Sequence, residues 1–266
     1  GHGHGRFAPG GFVLRVSPSA DEVELFSMGF RNPYDLAVNP TGDVFTYDAD
    51  MEWDMGMPWY RPTRVCHVVS GGEFGWRSGT GKWAADYPDS LPPVLDIGPG
   101  SPTGVIFGTG AAFPERYQDA LYVLDWTYGT IYALHLTING SSYSAVAEEF
   151  IVGLPLPLTD VVIGDDGAMY FTTGGRILES RLYRVTYTGN ESTGRSPTPS
   201  APNELTLHRR ALEALHQPDT TGQALETIWG SLGHADRYIR FAARTALEHQ
   251  PLEQWKQLAL DETNPT

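Results

Sequence analysis

Two short stretches hold the residue types that could do chemistry. The first is Arg31-Asn32-Pro33, a polar turn stiffened by its proline. Turns on a rigid frame of repeated strands are where functional groups are usually presented, which makes this turn the leading candidate. The competing reading is a structural arginine whose guanidinium caps neighbouring carbonyls. The second stretch is the acidic series Asp48, Asp50, Glu52 and Asp54, spaced i, i+2, i+4, i+6 in a long loop. Hard divalent cations want several oxygens and loops deliver them, so Asp48, Asp50 and Asp54 are candidate metal ligands. An acidic solvated loop accounts for the spacing equally well.

Trp53, Trp59, Tyr60, Trp76 and Trp83 crowd the same region. An aromatic ring beside polar groups suits stacking on a sugar face, although packing between sheets is the commoner fate. Trp76, after Gly71-Gly72-Glu73-Phe74-Gly75, reads as structural. Trp59, Tyr60 and Trp126 are the better pocket candidates, joined by Arg61, which with Arg64 flanks the loop and can pair with its carboxylates. Asp125 and Arg176 fall at strand ends that could face a central channel. Cys66 lies in an apolar run and reads as a buried, inert thiol. A single cysteine excludes an internal disulfide, a cysteine-cluster metal site and a Cys-x-x-Cys-His haem attachment. His2 and His4, near the start, fit a loop, a tag remnant or a metal-binding pair.

The elements that must position these residues follow from composition and period. The chain has 266 residues with 30 glycines, 20 prolines and 12% aromatics, and no helical period before about residue 203. That points to a turn-rich, mainly β protein with a helical appendix. The formal net charge of −14 argues against nucleic acid or an anionic membrane as partner. No apolar run approaches the roughly 18 residues of a membrane span. Both ends look like cuts in a longer protein.

An apolar run, a Pro-x-Gly or Asp-Gly turn and a second apolar run occur at 36–45 and again at 158–171. A recurring strand-turn-strand unit is a propeller-blade signature, each blade taking roughly 40–50 residues. Residues 1–187 then supply about four blades or parts of blades of a partial six-bladed β-propeller. Strands are expected near 11–16, 23–26, 64–69, 104–108, 120–124, 130–136 and 145–150, with 79–100 irregular. Residues 188–202 read as a Pro-rich linker. From 203 to 266 the apolar period becomes helical, with stripes Leu205, Ala211, Leu212, Leu215, then Leu225, Ile228, Trp229, Leu232, then Ile239, Ala243, Ala246, Leu247. HEAT-like helix pairs and a small bundle both fit that pattern.

Arg31-Asn32-Pro33 with Leu36-Ala37 and Pro40-x-Gly42 resembles the glucose/sorbosone dehydrogenase family of six-bladed propellers. Gly71-Gly72-x-x-Gly75-Trp76, Ser101-Pro102-Thr103-Gly104 and Asp160-Val161 with Asp166-Gly167-Ala168-x-Tyr170 extend the likeness over most of 10–187. Residues 47–53 and 59–64 look more closely like the large dehydrogenase-type proteins of planctomycetes and verrucomicrobia, whose propeller is followed by HEAT-like helices and often a c-type haem domain. The order of linker and helices here matches theirs.

The resemblance implies a pyrroloquinoline quinone (PQQ)- and calcium-dependent dehydrogenase of a sugar or related alcohol, periplasmic or extracellular. Electrons would pass to a haem domain or cytochrome, and the helices would offer a protein-binding surface. It places Arg31 and Asn32 against the quinone, where a guanidinium fork pairs with carboxylate and quinone oxygens. It places calcium on main-chain carbonyls aligned with Asp50 and Met51, and assigns the general base to a histidine in an earlier blade. The chain departs from the family at Tyr34, which replaces a polar amide. It departs again at Thr63-Arg64-Val65-Cys66, which replaces Asp-Glu-x-Asn, and at 126–131, which lacks the expected cations. A non-catalytic carbohydrate-binding or scaffold propeller and a calcium-dependent lactone or ester hydrolase are the alternatives.

Overall fold

The computed structural model describes residues 10–77, 81–84, 86–194 and 201–263, so His2 and His4 lie outside the described residues. β1 (Gly11–Val16) and β2 (Val23–Phe30) form an antiparallel hairpin. β3 (Leu36–Val38), β4 (Val44–Asp48) and β5 (Thr63–Val68) follow as a meander. β6 (Gly72–Glu73) runs parallel to β2, and β7 (Trp76–Arg77) pairs with β8 (Gly81–Lys82). β9 (Leu95–Gly98) adds to β5 and completes the first four-stranded sheet, ordered β3-β4-β5-β9.

The second sheet comprises β10 (Pro102–Phe107), β11 (Leu121–Asp125), β12 (Thr130–Asn139) and β13 (Ser142–Val152), with the one-turn helix α1 (Glu115–Gln118) before β11. The third comprises β14 (Leu158–Ile163), β15 (Met169–Gly175) and β16 (Leu178–Val185). The leading strands β3, β10 and β14 lie side by side, so the sheets are arranged as blades of a propeller.

Local chemistry explains the repeated unit. In the β3–β4 turn the Asn39 side-chain carbonyl oxygen accepts from the Thr41 and Asp43 amides (3.0 and 2.8 Å), while Gly42 takes the positive φ of +89° that the turn requires. β4, β5 and β11 are buried on both faces. In β11, Leu121 and Val123 pack with Phe45, Tyr47 and Val65 of the first blade, whereas Tyr122 and Leu124 pack with Leu158, Met169 and Phe171 of the third. Alternation with a period of two therefore cements two different blade interfaces. β9 lies inside the stretch expected to be irregular. Its Leu95 and Ile97 pack against the first interface, but four alternating residues beside three prolines and two glycines carry too little pattern to stand out.

The helices are α2 (Glu204–Glu213), α3 (Leu225–Ser231), α4 (Arg237–His249) and α5 (Leu252–Asp261). Asn203 and Asp236 cap α2 and α4 by accepting from the Thr206 and Ile239 amides (2.7 and 3.1 Å). Leu212, Ile228, Ile239, Ala243 and Ala246 form the helical core; Ala211, expected in the stripe, is exposed. No helix among the described residues is long and apolar enough to cross a membrane.

The helical region sits directly on the blades. Tyr238 and Phe241 of α4 enter a core with Phe30, Cys66, Val68 and Phe74, where burial pushes the Cys66 thiol up to about 12 and keeps it inert. A polar seam completes the contact. Arg209, only 2% exposed, donates to the Ser141 carbonyl (2.9 Å), Asp43 (3.1 Å) and Glu213 (2.6 Å). Arg210 also donates to Asp43 (3.0 Å), and Asp236 accepts from the Ser141 amide and hydroxyl (2.7 Å each).

Burial alone would raise the Asp43 carboxyl, but contacts from His67, Tyr143 and Arg210 hold it well below the usual carboxylate range. A depressed folded value stabilises the fold above the unfolded pKa of about 3.9, and that stability declines as pH falls below this value toward the lower folded one. Arg209→Ala is expected to cost about 3 kcal/mol in a urea titration, because it strands buried carboxylates; a cost near zero would show that the seam holds nothing. The stability gap between the native chain and Asp43→Asn should narrow as pH is lowered from 6 toward 3. A gap independent of pH would contradict the carboxylate's role.

Candidate functional site

At one end of the blades β4 terminates in Asp48, β11 in Asp125 and β15 in Gly175, and the 48–62 loop leaves from the same end. Asp48 is wholly buried. Its Oδ1 accepts from the backbone amides of Arg31 (2.9 Å) and Asn32 (3.1 Å), and its Oδ2 accepts from Nε and Nη2 of Arg64 (3.2 Å each). Lys82 Nζ lies 3.7 Å from Oδ2 and donates to the Pro62 carbonyl at 2.8 Å. Burial brings the Lys82 amine down to about 8, with Asp48 opposing the shift. Arg64 also reaches the Gly29 carbonyl (3.3 Å); Gly29 has a φ of +79° and leaves no room for a Cβ against Glu73.

Held this way, the turn projects Arg31 and Asn32 together. Arg31 Nη1 donates to Asn32 Oδ1 (3.4 Å), and Asn32 is exposed. The guanidinium is engaged by Glu52, with Nη2 to Oε2 at 2.8 Å and Nη1 to Oε1 at 3.5 Å, and it lies 5.3 Å from the Trp53 ring centre. A cation with two forked edges, flanked by an amide and an indole, is suited to a planar anionic ligand.

The acidic series does not close into one metal cage. Asp48 has both oxygens committed to the turn and to Arg64, so it acts as an anchor. Asp50 is also wholly buried; its Oδ2 accepts from the Tyr60 hydroxyl (2.8 Å) and its Oδ1 has no hydrogen-bond partner. Burial raises the Asp50 carboxyl, the Tyr60 bond offsetting part of the shift. Asp54 is half-buried in the short 3-10 turn Glu52–Asp54. Among the described residues no three histidine, cysteine or acidic side chains gather as a metal site. Even spacing along a chain leaving a strand sends the side chains of Asp48, Asp50 and Asp54 to different surroundings.

The aromatic candidates come from two loops. Tyr60 and Arg61 stay within the loop, Arg61 Nη1 donating to the Tyr60 carbonyl (3.0 Å), and Trp59 is exposed. Trp126 belongs to the β11–β12 loop, donates to the Gly174 carbonyl of the next blade (2.8 Å) and lies under Arg176 at 5.2 Å. Asp125 Oδ1 accepts from the Ser101, Thr127 and Tyr128 amides (3.2, 2.7 and 3.1 Å), while Oδ2 presses against Gly100 without a hydrogen-bond partner.

One anchor escaped the sequence reading: Asp35 Oδ2 accepts from the Val105 amide (2.9 Å) and ties the first two blades. Nothing in the sequence signalled Lys82. A separate cleft of about 490 Å³ between the hairpin and α2 holds Arg15, Arg209 and Arg210, but each is already paired with a carboxylate, so it is not the candidate site.

No protein-family model matches the sequence, and no curated protein does. Solved structures do match. A glucose dehydrogenase aligns over 65% of this chain and 50% of its own, with 20% identity and a TM-score of 0.50. An oxidoreductase described as a glucose dehydrogenase, from Thermus thermophilus, aligns over 60% of this chain and 47% of its own at 25% identity and a TM-score of 0.49. The PQQ-bound aldose sugar dehydrogenase of Streptomyces coelicolor aligns over 66% and 51% at 17% identity and a TM-score of 0.48. The chain thus spans about half the length of these structures. Its mainly β architecture is that of part of a β-propeller, the fold it shares with the glucose dehydrogenase.

Proposed function

We propose that this chain carries the cofactor-facing wall of a quinone-dependent dehydrogenase that oxidises a sugar or a related alcohol. The carrying observation is the Arg31–Asn32 pair, projected from a turn whose amides are fixed by a buried carboxylate. The sequence likeness at Arg31-Asn32-Pro33 gives that geometry its chemical meaning. PQQ, an anionic planar quinone, would supply the two-electron acceptor. The residues present fit it at Arg31, an arginine on the site face whose guanidinium partner is an exposed side chain. Arg31 would bind and orient its acidic edge, and Asn32 would add a neutral hydrogen-bond pair.

Calcium is part of the same reading only through the main-chain carbonyls aligned with Asp50 and Met51, since the acidic side chains form no cluster. The buried Oδ1 of Asp50 has no hydrogen-bond partner and would be available to help. The general base would be a histidine of an earlier blade, and the reading gives that role to no residue here. A haem domain or cytochrome as acceptor, a protein partner on HEAT-like helices, and a periplasmic or extracellular location belong to the same proposal.

Titrating the chain with PQQ and calcium, followed by the cofactor's absorption, tests the reading. Arg31→Gln should weaken binding about tenfold or more, the scale of a lost charge-assisted hydrogen bond. Equal affinity in the two proteins, or no cofactor binding by the native chain, would sink it.

A further inference from the structure

The partner that Arg31 already has is the informative one. Glu52 is a glutamate on the loop tip, 56% exposed, whereas the Arg31 side chain is 17% exposed. The guanidinium therefore belongs to the body of the protein and the carboxylate to its edge. The loop is buried at its base and exposed at its tip. At the base, Asp50 is buried and bound by Tyr60, and buried Met51 receives the Trp76 indole N–H at its sulfur (3.2 Å). At the tip, Trp53, Met55, Met57 and Trp59 are 68, 56, 43 and 52% exposed, and Gly56 has open space around it at a φ of +88°. Four large apolar side chains left in water along seven residues form a patch of the kind that is covered in some other state.

Charge points the same way. Glu52 and Asp54 share one 3-10 turn, and through Glu52 that acidic turn meets the guanidinium that would receive an anionic ligand. An ion pair with one exposed member contributes only about 0–1 kcal/mol, so another carboxylate can replace it at little cost. The pair is thus weak enough to exchange.

We propose that Glu52 is a built-in competitor for the anionic cofactor at Arg31: its carboxylate holds the guanidinium until a ligand carboxylate takes its place, and the 52–59 tip then leaves the turn. This rests on the reading that Arg31 receives the cofactor. Under it, Glu52 sets the loading affinity, and Trp53, which already stacks on the guanidinium, moves with the exchange.

Equilibrium binding separates the possibilities, using two probes: PQQ, and benzene-1,3,5-tricarboxylate as a planar anion without quinone chemistry. Both are followed by tryptophan fluorescence in the native chain, Glu52→Gln and Arg31→Gln. Glu52→Gln should bind both probes about two- to fivefold more tightly, the span of a lost exposed ion pair, and Arg31→Gln should lose both. Unchanged or weaker binding by Glu52→Gln, with Arg31→Gln impaired, would overturn the competitor and leave the cofactor reading standing. Tighter binding of the tricarboxylate alone, with no PQQ bound by any variant, would support Glu52 as guardian of the fork while overturning the quinone reading. No response to either probe in any variant would overturn both.

Discussion

The Asp48 carboxylate is the interaction on which the site depends. A buried carboxylate costs several kcal/mol unless its lone pairs are filled and its charge is met. Here four N–H donors and a nearby ammonium meet that demand. These partners come from three separate parts of the chain: the turn after β2, the strand β5 and the edge of β8. Filling one carboxylate therefore fixes the backbone of Arg31 and Asn32 relative to the first blade and sets where their side chains project.

The same chemistry recurs at the other end of the same strand. Asp43 immediately precedes β4, about 17 Å of extended chain from Asp48, and collects Arg209, Arg210 and Tyr143. One anchor seats the helices and the other seats the site turn, with the apolar residues Phe45 and Tyr47 packed between them. Strain or motion at the helical seam would thus reach the site through a short, rigid strand. The acidic net charge is consistent with this economy: many carboxylates are solvated, and the two that are buried at β4 carry the architecture.

Much of the fold was legible beforehand. The strand-turn-strand rhythm gave the hairpin, the blade strands and the change to helices, because alternation and turn chemistry are local properties. β9 was missed because its burial depends on β5, about thirty residues away. For the candidate site the sequence showed where polar and acidic residues gather but not their surroundings: Asp48 is an anchor, Asp50 meets a tyrosine and Asp54 sits in a short turn. Spacing in a loop records distance along the chain and says nothing about direction.

By itself the sequence determined which segments are strands, which are helices and where the reactive residue types are concentrated. Those outcomes follow from period, turn residues and composition, all written within a few residues of one another. Only the tertiary structure decided which carboxylates are spent on anchoring, that Glu52 holds the Arg31 fork, and that the helices lock onto two blades. Those outcomes depend on burial and on partners tens to more than a hundred residues away, and a carboxylate's role is set by whichever donors the fold brings to it.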